Sequence, residues 1–271
     1  MMEPESDRRW FETRWSGRLR NLGFTLDHIV RCRSIDSGRI LIPGSIRGEP
    51  VQFLFGTNNG WWCSLYQSYV EARGLPVFLN DDGRERARAG EVRVFGRMWQ
   101  ANGVPFGDTV ANWQPPLAGR FGAYCLMESV VAIDASVPAM AVVSADQRPA
   151  LAGALCRVPL IPKTWKGTCY TAAVSDAVFG VGYEWHSTVT PAYLATRRTR
   201  AGRNGRAEIE LRLPGDIAVT QEVGVADACN VAPLAEAGIT RCDGMLGADF
   251  WCRWITVFDF PASELLLFPY D

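Results

Sequence analysis

Residues 121–143 read FGAYCLMESVVAIDASVPAMAVV, and residues 246–268 read LGADFWCRWITVFDFPASELLLF. The two stretches align without a gap. Gly122 falls on Gly247, Ala123 on Ala248 and Asp134 on Asp259, with apolar residues agreeing around them. A repeat of this kind is weighed before any local reading, because it fixes the architecture. Three further blocks recur in the same order. LIPGSIRGEPVQFLFGT from Leu41 matches LIPKTWKGTCYTAAVSD from Leu160, which puts Gly48 on Gly167 at the turn of an expected β-hairpin. Cys32-Arg33 has a counterpart in Cys156-Arg157, and SLYQSYVEAR from Ser64 matches STVTPAYLATR from Ser187. The chain therefore predicts two copies of a unit of roughly 120 residues, with the boundary near Ala150. Such a duplication implies two lobes about a pseudo-twofold axis, and ligands are usually held in the cleft between lobes.

Within each copy the apolar residues come in short runs rich in Val, Ile, Phe and Trp, broken by Gly, Pro, Asn and Asp. That pattern predicts an all-β protein. Expected strands include 51–55, 91–95, 129–133, 207–213 and 255–260. Two short segments, 66–73 and 191–197, read as helices. Residues 1–35 form an N-terminal extension whose first part, 1–22, holds a basic amphipathic turn or is partly disordered. The first lobe then spans 36–150 and the second 151–271.

Bulk composition narrows the function classes. The 271 residues are 48% apolar and 21% charged with a formal net charge of -1, the profile of a globular chain with no global field toward nucleic acid or anionic membrane. Only two of the 28 basic residues are lysines, Lys163 and Lys166. The arginines are scattered, so genome composition explains them better than a bidentate anion site. No stretch of about 20 apolar residues exists, so no membrane span is expected. The charged opening MMEPESDRRWFETRW lacks the apolar core of a secretory leader, which predicts a cytoplasmic protein. Eight cysteines without knuckle spacing, and only His28 and His186, predict free thiols and no metal site. No dinucleotide or phosphate-loop fingerprint occurs, and no cofactor is expected.

The order of blocks in each copy resembles the aspartic protease superfamily, pepsins and retropepsins alike. In that family a hairpin leads into apolar residues and Asp-Thr/Ser-Gly. A flap hairpin follows, and later two apolar residues and a glycine open a short helix and a final strand. CDGMLGADFWCRWITVFDFPASELLLF, starting at Cys242, is similar to the closing segment of a retropepsin, and RFGAYCLMESVVAID, starting at Arg120, is its counterpart. The resemblance covers roughly residues 36–271 and implies a bilobal, pepsin-like double β-barrel with few short helices.

The family's catalytic motif is lost. After Phe53-Leu54-Phe55 the chain offers Gly56-Thr57-Asn58, and after Ala172-Ala173-Val174 it offers Ser175-Asp176-Ala177. In the register set by Leu-Ile-Pro, Gly56 and Ser175 occupy the two aspartate positions. Peptide hydrolysis in this family uses two carboxylates that share one proton. Losing one acid or base typically costs about 10²–10⁴-fold in rate. Ordinary proteolysis is therefore not expected.

Other groups remain for the cleft. Asn102-Gly103 is a hairpin-turn signal that would place Trp99 near a flap tip. Trp61 and Trp62 follow the degenerate motif, and Trp185 lies at the matching stretch of the second copy. These tryptophans, with Thr57 and Asn58, either line a site for a flat apolar or peptide ligand or pack the lobes together. Asp176 reads as a lone general acid or base, or as a carboxylate on a turn. His186 reads as a proton shuttle or as a structural histidine. Ser175, Asp176 and His186 supply the residue types of a nucleophilic triad, but the elbow such a serine needs is missing. Asp134 and Asp259 read as structural.

Three functions fit. The first is a non-proteolytic protein that binds a peptide or apolar small molecule in the cleft. The second is a repurposed enzyme of cyclase, isomerase or lyase type, relying on orientation and exclusion of water. The third is an interaction protein using an outer face or the N-terminal segment with Trp10 and Trp15.

Overall fold

The computed structural model describes residues 15–36, 38–57, 63–81, 83–103, 105–106, 115–161, 170–226 and 240–270. In chain order the first half carries α1 (Gly17–Asn21), β1 (Ile29–Arg31), β2 (Arg33–Ile35), β3 (Arg39–Ile46), β4 (Glu49–Gly56) and β5 (Cys63–Tyr66). It continues with α2 (Gln67–Ala72), β6 (Val77–Leu79), β7 (Glu85–Val94), β8 (Arg97–Gly103), β9 (Pro105–Phe106), β10 (Leu117–Gly122), β11 (Ser129–Asp134) and β12 (Ala139–Ser144). The second half runs β13 (Cys156–Pro159), β14 (Tyr170–Val174), β15 (Ala177–Gly182), β16 (Thr188–Val189), α3 (Pro191–Thr196), β17 (Arg206–Leu213) and β18 (Ile217–Val225). It closes with β19 (Gly244–Gly247), α4 (Ala248–Trp251), β20 (Ile255–Asp259) and β21 (Glu264–Phe268). The protein is mostly β. The five runs expected as strands are strands, and both expected helices are present as α2 and α3. Among the described residues no helix is long and apolar enough to cross a membrane.

Strand pairing repeats between the halves. β4 lies parallel to β10, and β15 parallel to β19. β5 runs antiparallel to β10, as β16 does to β19. Hairpins β7–β8 and β17–β18 correspond, as do β11–β12 and β20–β21. A nine-stranded sheet belongs to the first half and a six-stranded sheet to the second. A third sheet, in the order β1-β12-β11-β20-β21-β13, takes strands from both. At its centre Ala132 pairs with Val257, flanked by Val131 with Phe258 and Ile133 with Thr256. In the 121–143/246–268 alignment Ala132 and Val257 are each other's counterparts, so a local twofold axis passes through that pair.

The four central strands of the shared sheet are buried on both faces, and their side chains alternate between two cores as the strand period of two requires. Val131, Ile133, Phe258 and Leu265 join the main cluster that also holds Phe53, Phe121 and Phe179. Val130, Ala132, Val257 and Leu266 face a second cluster closed by Leu19, Phe24 and Ile29. Residues from Gly17 onward, expected as an extension, thus cover the shared sheet, and β1 adds a strand to its edge. Asp134 and Asp259 are fully buried at the equivalent hairpin ends. Asp134 accepts from Ser136 N and Oγ at 3.0 and 2.6 Å, Asp259 accepts from Ala262 N at 3.2 Å, and Arg18 and Arg148 pair with one carboxylate each.

One turn falls elsewhere than expected. The β7–β8 hairpin turns at Phe95-Gly96, with φ of 53° and 67°, so Asn102 and Gly103 lie inside β8. A two-residue primed turn needs φ > 0 at both central positions, and Gly96 supplies one without a Cβ penalty. The β14–β15 hairpin turns at Ser175-Asp176, with φ of 52° and 57°. The turn expected at Gly167 lies outside the described residues.

Gly119 and Gly244 show how tightly the halves are built. A Cβ on Gly119 would stand 1.9 Å from Ser64 O, and one on Gly244 2.1 Å from Thr188 O. Both are backbone atoms of the crossing strand, which cannot yield as a side chain can. Gly119→Ala and Gly244→Ala are each expected to cost about 3 kcal/mol or more, at the upper end for overpacking. Gly17→Ala, with nothing within 4 Å, is expected to be neutral or slightly stabilising in α1. Thermal unfolding of the three variants checks this; equal stability across them would contradict the packing.

Candidate functional site

β4 and β15 end side by side where the two halves meet, and their ends hold one another. Thr57, fully buried, donates from Oγ1 to Val181 O at 2.5 Å and accepts there from Tyr183 N at 3.0 Å. The Thr57 backbone N–H donates to Glu184 Oε2 at 3.0 Å. One residue of the first half therefore ties down three of the second, through short bonds in a site shielded from water.

The parallel registers define which residues are equivalent. Gly56 lies opposite Gly122 on β10, and Gly182 opposite Gly247 on β19. Because Gly122 and Gly247 coincide in the repeat, the counterpart of Gly56 is Gly182. Ser175, assigned to that position by the Leu-Ile-Pro match, instead sits with Asp176 in the turn at the opposite end of β15. The triplet misleads because Leu160 and Ile161 precede β14, whereas Leu41-Ile42-Pro43 lies within β3. The register that survives is shorter: Phe53-Leu54-Phe55-Gly56 matches Phe179-Gly180-Val181-Gly182, with phenylalanine and glycine at the same spacing.

Both central positions are thus glycine, and each space is filled differently. A Cβ on Gly56 would lie 2.8 Å from Glu184 Cδ and Oε1. The Glu184 carboxylate therefore occupies the space beside position 56 that a side chain there would enter, and Glu184 is 1% exposed. A Cβ on Gly182 would lie 2.4 Å from Met245 Sδ and 3.0 Å from Trp185 Cδ1. Behind the loop that carries Glu184, Ser187 donates from N and Oγ to Asp249 Oδ1 at 2.8 Å, and Gly247 N donates to Ser187 Oγ at 2.9 Å. Gln221 Nε2 holds the other Asp249 oxygen at 3.1 Å. This buried network fixes the loop on the short helix α4.

Trp185 is 43% exposed and stacks under the Arg120 guanidinium of the first half, 4.6 Å from the ring centroid. Trp99, expected at a flap tip, is half-buried and packs edge-on against Phe121 with centroids 5.6 Å apart. Asn58, Trp61 and Trp62 lie outside the described residues. His186 is exposed on the loop after β15. Asp176 is exposed at the other end of that six-residue strand, and a strand of that length spans about 20 Å. The two residues are therefore not brought together. Ser175 is held by Arg212, whose N–H donates to Ser175 Oγ at 2.6 Å. The depression of about 760 Å³ beside this turn, which includes Arg197, Arg212 and Asp216, carries mixed charge. Arg197 there donates to Ser175 O and Arg212 pairs with Glu210, so these charges serve the hairpin. Among the described residues no group of three or more His, Cys, Asp or Glu is placed to hold a metal ion.

A scan against models of protein families returned no match, and no curated protein matched the chain.

Removing the Thr57 hydroxyl leaves Val181 O and Tyr183 N–H buried without their partner. Thr57→Val is expected to cost about 2–3 kcal/mol, lowering Tm by roughly 4–10 °C, while Thr57→Ser stays near wild type. Tyr183 is fully buried between Phe55 and Phe258, and among the described residues its hydroxyl makes no hydrogen bond of good geometry, Thr256 being its nearest polar neighbour in electrostatic terms. Tyr183→Phe is therefore expected to match or exceed wild-type stability, since it removes an unsatisfied polar group. A loss in that variant would reveal a partner for the phenol.

Burial pushes several thiols upward: Cys125 to about 12 and Cys156 to about 11, from an ordinary value near 9.0. Cys32, Cys63 and Tyr183 move in the same direction, chiefly for the same reason. Between the unfolded and folded values the native state binds more protons than the unfolded state, so stability falls as pH rises through that window. Urea midpoints are expected to hold up to about pH 9 and to drop steadily above it. A flat profile to pH 11 would contradict the burial of these groups.

Proposed function

We propose that this chain is a non-proteolytic protein of the aspartic-protease architecture, a pepsin-like pair of β-barrel lobes whose cleft binds a peptide or an apolar small molecule without cleaving it. The observation that carries this reading is the contact between Gly56 and Glu184. Two glycines stand at the equivalent strand ends, and a single carboxylate from the opposite half lies against one of them. A shared-proton pair needs two carboxylates, one to activate water and one to protonate the carbonyl. One carboxylate already bonded to a backbone N–H does not reproduce that division of labour. The exposed face of Trp185, braced by Arg120, offers the flat apolar surface such a ligand needs. No disulfide joins any two of the six described cysteines, which fits a reducing, cytoplasmic setting.

A repurposed enzyme of cyclase, isomerase or lyase type is the second reading. It rests on Glu184 as an acid–base group that the described residues place at the junction, in place of Asp176 and His186.

The test is calorimetric titration with apolar hexapeptides, with mass spectrometry of the same samples after prolonged incubation. Binding is expected with the peptides intact, and Trp185→Ala should weaken it about tenfold, as for a buried aromatic anchor. Cleaved peptide would sink the proposal, and an isomerised or cyclised product would favour the second reading.

A further inference from the structure

β6 is a free end of the nine-stranded sheet. Among the described residues it pairs only with β7, Val77 opposite Ala87, Phe78 opposite Arg86 and Leu79 opposite Glu85. Just outside the strand, Arg88 N donates to Pro76 O and Asn80 N to Arg84 O, both at 2.9 Å. Ladder bonds of an antiparallel pair fall on every second residue, so within β6 it is Phe78 that exchanges them with β7. The N–H and C=O groups of Val77 and Leu79 therefore point away from β7, along the open edge. The side chains of the same two residues are 46% and 66% exposed. Phe78, on the other face, is half-buried with the Arg88 guanidinium 5.2 Å from its ring centroid. Open edges are commonly blunted by a charge, a proline or a bulge within the strand. β6 holds none of these.

We infer that β6 is an interaction surface for a second copy of this chain, the two strands pairing antiparallel about a twofold axis at Phe78. The pattern of groups selects that occupant. Val77 and Leu79 stand symmetrically about Phe78, so each copy's Val77 exchanges both backbone bonds with the other's Leu79, and no outward donor or acceptor of these residues is left over. On one face Val77 packs against Leu79 twice, as apolar cross-strand pairs do, and on the other the two Phe78 rings meet. Charge agrees with this direction. Arg73, paired with Glu49, precedes the strand and exposed Asp81 follows it, so antiparallel approach carries Asp81 of each copy toward Arg73 of the other. Each end also holds one residue of the other sign, Glu71 and Arg84, so neither end is a block of like charge. A strand this short forms few bonds, and the dimer is weak, with a dissociation constant on the order of 100 µM. The inference is independent of the cleft reading.

Sedimentation velocity on the wild-type protein, from about 10 µM to about 1 mM, is expected to show monomer passing into dimer. Over the same range hydrogen exchange at the Val77 and Leu79 amides should slow about threefold, with the Phe78 amide slow throughout. Val77→Lys/Leu79→Lys and Val77→Glu/Leu79→Glu each set like charges opposite one another and should stay monomeric, while an equimolar mixture of the two dimerises again. Both positions are exposed, so the variants are expected to keep the wild-type Tm. A wild type that remains monomeric at about 1 mM overturns the inference. So does a dimer that survives the lysine substitutions, because its interface then lies elsewhere. A monomer whose Val77 and Leu79 amides become protected only on adding an apolar hexapeptide assigns the edge to a foreign strand and overturns it as well.

Discussion

Val131 pairs with Phe258 and Ile133 with Thr256 about the Ala132–Val257 pair. Everything else hangs from this antiparallel contact. Because it joins equivalent strands, each half must present the same elements to the junction from opposite directions. Its four central strands are buried on both faces, so they cannot slip by one residue without exchanging the contents of two cores. Asp134 and Asp259 fix the ends of that register, each taking backbone N–H groups in its own turn and an arginine from outside. With the centre pinned, β4 and β15 are forced to finish next to each other, and Thr57 reaches Val181 and Tyr183.

The junction then follows from which side chains are missing. Two glycines at symmetry-equivalent strand ends would leave two voids, and packed interiors do not keep voids. One is filled by Met245 and Trp185 from its own half and the other by Glu184 from across the junction. The filling differs because the residues after the two glycines differ. Thr57 has a short hydroxyl that can bond two backbone groups of the other half. Tyr183 has no hydroxyl within reach of Thr57 N–H, so Glu184 supplies the acceptor. The asymmetry of the site is therefore a chemical answer to an asymmetry of sequence inside a symmetric frame.

Much of this frame was legible in the sequence. The 121–143/246–268 repeat is dense in apolar residues and carries aligned Gly-Ala and Asp, because these positions serve the buried shared sheet, where packing restricts substitution. Helices α2 and α3 were legible for a similar reason, with Thr190 capping Tyr193 N at 3.2 Å and Pro191 opening the helix. What was not legible depends on long-range register. Leu160-Ile161-Pro162 copies Leu41-Ile42-Pro43 in letters yet precedes β14, and only the pairing of β15 with β19 shows that Gly182 is the true counterpart of Gly56. Glu184 escaped notice because its role comes from a residue of the other half, distant in sequence. Trp99 was read from an Asn-Gly turn signal that the strand pairing overrode in favour of Phe95-Gly96.

The two glycines are not equally open to change. At Gly182 a new side chain meets Trp185 Cδ1, on a ring held by Arg120, as well as Met245. At Gly56 the nearest atoms it meets are the far end of one flexible side chain, Glu184. A side chain could enter position 56 if Glu184 swung away, whereas one at 182 would disturb Trp185 as well. The second position is thus closed by packing and the first by an alternative carboxylate. A frame that keeps its twofold construction thus closes its two central positions by different means, one by packing within a half and one by a carboxylate from across the junction. The Glu184 carboxylate there both fills the space beside Gly56 and accepts the Thr57 N–H, so one side chain answers a packing and a hydrogen-bonding demand together.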